Sequence, residues 1–393
     1  MKRILISILS DYLQPNFLLI KEFDGKYDEL MFITTSRMEE TDKKKSYWLE
    51  KALALPENSV RRINVVEDDF EKIKSAFSEE NFSVEDEYLI NLTGGTKVMP
   101  LAAYEYFKTG FNSEFYYVPI GKNVIKSLSA DEEFALNYRL NLKEYFTLYG
   151  LRYEDDNTLL YPENHTIDLF EKFRKQKFNR YKVPEIRDAQ TLSGPRDRSY
   201  YGGKWFEEYC YSRLKREHNL LDDSICKSAS IYREDSKSND NEIDVMFVKN
   251  NQLYVFECKV GMTGFNSPRD TIEQYQYKLA AIAKDFGLKV EAYILTLHKI
   301  FNNPTMFSEA AIENIRKRQA ILGLRGIIDS VVFTRNEPLL ESIKHDMPKA
   351  TMPQRKTKVE KNRSKSHMTT EIPKLQGLKV VGKIDLDSIK KKK

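Results

Sequence analysis

Cysteine is scarce in this chain. Only Cys210, Cys226 and Cys258 occur among 393 residues, and no C-x-x-C pair is present. So few, and an odd number, exclude a disulfide framework and point to a reducing cytoplasm. Histidine is equally thin: His165, His218, His298, His345 and His367 include no pair at metal-ligand spacing, which argues against zinc. No run of 18 apolar residues exists, so no spanning helix is expected. The opening MKRILISILS imitates a leader, but its apolar stretch stops at Asp11 without a small-residue cleavage site. It reads as a buried strand. Internal repeats are absent as well.

What is present is a globular composition. Hydrophobic residues make up 41% and charged ones 31%, with 22 Phe and 23 Tyr, which excludes wholesale disorder and low-complexity classes. The length exceeds one ordinary core and predicts two domains with additions. The net charge of +4 hides an asymmetry: from Asn336 to Lys393 there are 15 Lys and Arg against 7 Asp and Glu. A mildly acidic body thus carries a basic tail, compatible with a polyanionic partner or with a solubilising extension.

Residues 1–145 alternate short β-rich runs (3–9, 29–34, 62–66, 88–92, 114–118) with helical patterns at 43–54, 70–77 and 98–109. That order predicts an α/β fold with a doubly wound, mostly parallel sheet. Ligands in such sheets bind beyond the carboxyl ends of the strands, so the loops after the first and fourth strands matter most. Residues 146–195, interrupted by Pro162, Pro184, Gly194 and Pro195, read as a connector. A second αβ segment covers 196–335, with helices at 203–217 and 270–286 and strands near 242–248, 253–258, 290–297 and 327–333. The tail from 336 lacks sustained periodicity and is expected to be mobile, except that 377–389 has the pattern to pair with a sheet edge or a partner.

The loop Thr93-Gly94-Gly95-Thr96-Lys97 follows the apolar strand YLINL and precedes a helix. Adjacent glycines let the backbone turn tightly and approach a ligand, and the helix start adds free N–H donors and a positive dipole end. Two threonine hydroxyls and a lysine complete a loop suited to a phosphate or nucleotide. The spacing is neither that of a Walker loop nor that of a dinucleotide fingerprint. A bare glycine turn would look the same in isolation. Ser10, Gln14 and Asn16, expected at the same sheet edge, tip the balance, and Thr35 in Thr34-Thr35-Ser36 is a weaker addition.

The segment 241–259 is a hairpin signature: two apolar strands around an Asn-Asn turn. Glu257 and Lys259 are two apart and share a face, with Cys258 opposite as a strand filler. Asp244 is placed to pair beside Glu257. Two carboxylates converging there can hold a hard divalent cation, and Lys259 beside it can orient or deprotonate a water or stabilise transition-state charge. The upstream helix GGKWFEEYCYSRL offers Glu207 as the carboxylate nearer its apolar stripe, with Glu208 in reserve. Gln274, with Tyr275 and Lys278 nearby, has the chemistry to touch nucleic acid or metal-bound water, but an ordinary exposed polar position is the favoured explanation.

These motifs, in this order, resemble the CARF-fused nucleases of type III CRISPR systems. The Thr93–Lys97 loop is similar to that of the CARF sensor domain. Asp244, Glu257, Cys258 and Lys259, with Glu207 upstream, resemble the PD-(D/E)XK nuclease set, except that no proline precedes the first aspartate. The resemblance covers about residues 1–335 and leaves the basic tail unmatched. It implies a Rossmann-like CARF sheet followed by a restriction-endonuclease-like domain. It further implies a homodimer with a cyclic oligoadenylate, usually cyclic tetra-adenylate, across its twofold axis. Each subunit would contribute Ser10, Gln14, Asn16 and the Thr93–Lys97 loop. Asp244 and Glu257 would bind Mn²⁺ or Mg²⁺, and Lys259 would assist attack on a phosphodiester of DNA, RNA or both. A pocket near Gly261–Arg269 is the expected place for strand preference to be set. A regulator that senses nucleotide and binds nucleic acid without cutting is the alternative, and a sensor that hydrolyses its own ligand ranks below both.

Overall fold

The computed structural model describes residues 1–233, 236–238, 241–261, 267–301, 303–335 and 337–341. The expectations for the Gly261–Arg269 segment and for the tail therefore fall largely outside the described residues.

Two sheets organise the fold. The first has the order β3-β2-β1-β4-β5-β6-β7, built from β1 (Arg3–Ile8), β2 (Glu29–Thr34), β3 (Arg61–Asn64), β4 (Glu87–Asn91), β5 (Asn112–Tyr117), β6 (Val124–Ser127) and β7 (Glu132–Ala135). The first five strands run parallel, and β6 and β7 add an antiparallel edge. Helices α1 (Gln14–Glu22), α2 (Lys45–Ala52), α3 (Phe70–Glu79) and α4 (Val98–Lys108) alternate with the strands, and α5 (Leu142–Leu148) follows them. Near-continuous apolar runs such as RILISI and ELMFIT suit strands buried on both faces. One face packs Ile4, Ile6, Ile8, Met31, Ile33 and Ile90. The other packs Leu5, Phe32 and Leu89 into a cluster that continues through Tyr145 and Phe146 to Met246 and Val255 of the second sheet.

The second sheet has the order β13-β12-β11-β10-β9-β8. Its strands are β8 (Leu151–Glu154), β9 (Ile225–Arg233), β10 (Asn241–Lys249), β11 (Gln252–Lys259), β12 (Glu291–Thr296) and β13 (Gly326–Ile328). Between β8 and β9 lie α6 (Glu163–Lys175), the short α7 (Pro184–Arg187) and α8 (Pro195–Ser199), and α9 (Trp205–His218). Helices α10 (Pro268–Lys284), α11 (Glu309–Ile321) and α12 (Ser330–Arg335) follow among the described residues. Ser267 and Ser308 cap α10 and α11 through their side chains.

Several elements depart from the sequence reading. The strand expected at 327–333 divides, because Asp329 Oδ1 accepts the Val331 N–H at 2.9 Å and starts α12. The segment after β1 turns helical early: α1 begins at Gln14, with Pro15 in its first turn. Strands β6, β7, β8 and β9 carry too little alternation to stand out. The antiparallel hairpin of β10 and β11 matches the expectation, with Val245 opposite Phe256 and Lys249 opposite Gln252. Among the described residues no helix is long and apolar enough to cross a membrane.

Candidate active site and ligand edge

Continuing the β10–β11 register by one residue sets Asp244 opposite Glu257. The Asp244 Oδ2 atom accepts the Cys258 backbone N–H at 2.7 Å and the Lys259 ammonium at 3.0 Å. Lys259 Nζ also lies 2.8 Å from Glu257 Oε1, and Lys278 of α10 reaches the same oxygen at 3.1 Å. Glu257 is only 2% exposed, so both lysines address a carboxylate that has little access to water. Tyr275 supports Lys259, its ring centroid 5.5 Å from the ammonium. Gln274 is exposed on the same helix.

Burial pushes the Asp244 carboxyl above its usual range, and the neighbouring Glu257 charge pushes it further. Burial would lower the Lys259 ammonium, but the charges of Asp244 and Glu257 outweigh it and hold the group above its ordinary value. Lys259 is thus a fixed cation between two carboxylates. Cys258 sits on the opposite face with its thiol pushed well up by burial, which suits a core strand position and not a nucleophile.

The helix carboxylates separate by direction. Glu207 Oε2 accepts a hydrogen bond from Ser228 Oγ at 3.2 Å, and its pKa is pushed up to about 7, by burial first and by Asp244 second. Glu208 turns the other way, accepting the Leu160 N–H at 2.7 Å with the Lys227 ammonium 3.8 Å away. Glu207, not Glu208, therefore feels the Asp244 charge.

Ser228 was not legible in the sequence. Its φ of 46° is left-handed, in the middle of β9. Side-chain alternation reverses there: Cys226, Ala229 and Ile231 all join one core, although Cys226 and Ala229 are three apart. The paired register with β10 also omits Ser228 opposite Asp244. Such a local distortion re-aims side chains, and here it turns the hydroxyl to Glu207.

A hard divalent cation fits this donor set. Asp244 and Glu257 present carboxylate oxygens on neighbouring strands, and one cation, the Lys259 ammonium, already lies 3.0 Å from the first and 2.8 Å from the second. Among the described residues no group of three His, Cys, Asp or Glu is arranged to hold a metal ion. Two carboxylates with water and phosphate oxygens completing the shell is the pattern of magnesium-type sites.

The second candidate region lies at the carboxyl ends of β1 and β4. A Cβ on Gly94 would fall 1.7 Å from the Ile8 carbonyl oxygen, and Gly95 has φ 77° with Ile8 and Met99 against it. Only glycine fits both positions. Thr93 bonds to Asn91 Oδ1 through its N–H and hydroxyl, and accepts the Val118 N–H at 2.8 Å. Thr96 donates to the Glu67 carbonyl at 2.6 Å, while Lys97 is exposed. Ser10 Oγ donates to the Tyr12 carbonyl.

Three of the expected ligand residues also have partners within the fold. Asn16 is fully buried, donating to Ser7 Oγ at 2.8 Å and to the Ile8 carbonyl at 2.7 Å. Thr35 is buried and accepts the Met38 N–H in the turn after β2. Gln14 donates to the Asn251 carbonyl at 2.5 Å. Cations missed in the sequence gather instead: Arg37 and Lys43 each lie 3.5 Å from Asp11, and Lys45 donates to the Asp11 carbonyl. The Asp42–Lys45 charge run was the available signal.

Residues 4–145 match the family model of the Card1 CARF domain, and residues 196–322 match that of the Card1-like endonuclease domain. Among solved structures, the chain is similar to Can2 from Sulfobacillus thermosulfidooxidans in complex with cyclic tetra-adenylate. That likeness has a TM-score of 0.65 at 22% identity, over 87% of this chain and 99% of that one. It is similar to protein VC1899 from Vibrio cholerae, with a TM-score of 0.67 at 16% identity, over 87% and 97% of the two chains. A type III CRISPR defence DNA nuclease activated by cyclic oligoadenylate matches at a TM-score of 0.51 and 17% identity, over 75% of this chain but only 45% of that one. No curated protein matches the chain. At these identities the structural likenesses establish the fold alone, an α/β architecture of two sheets with a mostly parallel N-terminal one.

Proposed function

We propose, for a chain that belongs to the Card1-like family of CARF-fused endonucleases, that it is a metal-dependent endonuclease switched on by a cyclic oligoadenylate. In this reading residues 1–145 sense the ligand, 146–195 connect, 196–335 cleave, and 336–393 form a basic extension. The substrate is DNA, single-stranded or nicked in a duplex, with RNA as the further candidate. The activator is cyclic tetra-adenylate, bound across the twofold axis of a homodimer, where a symmetric ring meets an isologous interface.

The observation that carries the reading is the Lys259 ammonium held between Asp244 and Glu257, with Glu207 beside them, inside an endonuclease-type domain. Asp244 and Glu257 would hold Mn²⁺ or Mg²⁺. When bound, such a cation supplies Lewis acidity and charge neutralisation at the scissile phosphate. Lys259 stays protonated and adds fixed positive charge where the phosphate's negative charge builds up. Glu207, titrating near 7, can accept or return a proton at its carboxylate near neutral pH. At the ligand edge, Ser10 and the Thr93–Lys97 loop line the strand ends, and Lys97 with the Arg37 and Lys43 cations supplies positive charge for phosphates.

The test uses purified protein and Mn²⁺ with labelled single-stranded DNA, supercoiled plasmid and RNA. Each is incubated with and without cyclic tetra-adenylate, beside Lys259→Ala. Cleavage that needs both the ligand and Lys259 is the expected result and names the substrate. Cutting that ignores the ligand removes the sensor. Ligand binding with no cutting of any substrate returns the chain to the regulator reading.

A further inference from the structure

Asn250 and Asn251 form the turn between β10 and β11, and both hold left-handed backbone, with φ of 52° and 61°. Asn250 is exposed, whereas Asn251 is buried. Asn251 directs its polar groups away from its own sheet. Its Oδ1 accepts the Leu140 N–H at 2.9 Å, and its Nδ2 donates at 2.9 Å to both Asn123 Oδ1 and the Tyr138 carbonyl. Its carbonyl accepts from Gln14 Nε2 at 2.5 Å. All four partners belong to residues 1–145, and they come from the start of α1, the approach to β6 and the exit from β7. A side chain here must donate twice, accept, and tolerate left-handed backbone, a combination that asparagine provides.

The two strands that leave this turn carry the candidate catalytic groups at their far ends, Asp244 on β10 and Glu257 with Lys259 on β11. Pairing is unbroken from Lys249 and Gln252 to Val245 and Phe256, so the hairpin is a stiff arm. Gln14 belongs to two networks. Its backbone lies in the Ser10–Asn16 segment at the ligand edge, while its amide holds the hairpin turn. Two further bonds tie the same seam: Tyr145 Oη donates to the Phe286 carbonyl at 2.8 Å, and Lys289 Nζ to the Ile120 carbonyl at 3.0 Å.

We propose that Asn251 is a positioning residue that couples the ligand edge to the catalytic hairpin, so that ligand occupancy sets the arrangement of Asp244, Glu257 and Lys259. The inference rests on the ligand-gated nuclease reading and names how its gate is built. A ligand shifts such an equilibrium only through contacts that differ between the two arrangements, and the α1 start is where ligand and hairpin share a segment.

The experiment compares full-length wild type, Asn251→Gly, Asn251→Asp and Asn250→Gly. Glycine keeps the left-handed turn and deletes only the three side-chain bonds, and aspartate keeps the acceptor but loses both donors. Initial cleavage rates are measured in Mn²⁺ with and without saturating cyclic tetra-adenylate. Calorimetric binding of the same ligand and thermal melting are measured alongside. The expected result is that Asn251→Gly still melts cooperatively and binds ligand, yet its activation ratio falls by about tenfold or more. Asn251→Asp falls less, and Asn250→Gly keeps the wild-type ratio. Equal loss of rate with and without ligand makes Asn251 merely structural and overturns the proposal. An unchanged ratio in Asn251→Gly, or the same fall in Asn250→Gly, overturns it too. Should Asn251→Gly fail to fold, the aspartate variant decides by the same ratio. If wild type itself shows no ligand stimulation, the gated reading fails on that arm, separately from any variant.

Discussion

Lys259 Nζ lies 3.0 Å from Asp244 Oδ2, across the strand pair and fifteen residues apart in sequence. The ammonium replaces the water that a buried carboxylate has lost, and the carboxylate keeps the lysine charged. Lys259→Ala removes that fixed charge from the place where transition-state charge builds up. Cleavage is expected to drop by at least about 10²-fold, read as initial rate on labelled DNA at saturating ligand and metal. A variant that cuts within a few-fold of wild type would take Lys259 out of the chemistry.

Glu207 gives a pH signature. Its carboxyl titrates near 7 in the folded chain against 4.5 in the ordinary state, because burial and Asp244 disfavour the charged form. The folded state therefore binds the proton more tightly, and stability falls as pH rises from about 4.5 to about 7. Glu207→Gln removes that penalty. In chelator, the melting temperature of the variant relative to wild type is expected to be higher at pH 8 than at pH 4.5. A pH-independent difference would mean that Glu207 titrates normally.

Gly94 tests the close approach of the glycine loop to β1. The Cβ of Gly94→Ala would meet the Ile8 carbonyl oxygen, which is backbone and cannot step aside alone. Destabilisation of about 1–3 kcal/mol or more is expected, with weakened cyclic tetra-adenylate binding as the loop is lifted. Thermal melting and calorimetric titration read both. A variant as stable as wild type would remove the packing reason for this glycine.

Ser228 separates backbone from hydroxyl. Ser228→Gly and Ser228→Ala both delete the bond to Glu207, but only glycine accepts the φ of 46° without strain. The alanine variant is expected to melt lower than the glycine one by about 1 kcal/mol, with similar losses of cleavage rate in both. Equal stability would show that β9 relaxes to ordinary geometry there.

Much of the scaffold is local information. Apolar runs such as YLINL, LYVFECK and EIDVMFV announce strands, and the period of two is enough to put Glu257 and Lys259 on one face. The TGGTK loop is legible for the same reason, since two adjacent glycines before an apolar helix state a backbone requirement. The helix carboxylate was half legible. The apolar stripe of α9 favoured Glu207, but only the turn of Glu208 toward Leu160 and Lys227 settles the direction of each.

Tertiary structure decided what chain pattern cannot carry. Asn16 and Thr35 looked like edge donors, yet packing buries them, because a polar residue beside a strand end serves equally well as scaffold. Gln14 meets Asn251 across 237 residues, a contact set by how two sheets dock and by no periodicity. Ser228 reverses its strand because the paired strand and the acidic neighbour hold it there. Local sequence determines which face and which turn, since those depend on dihedral preferences and hydrophobic period. Which groups finally meet depends on the summed packing of distant elements, and only the folded chain resolves that.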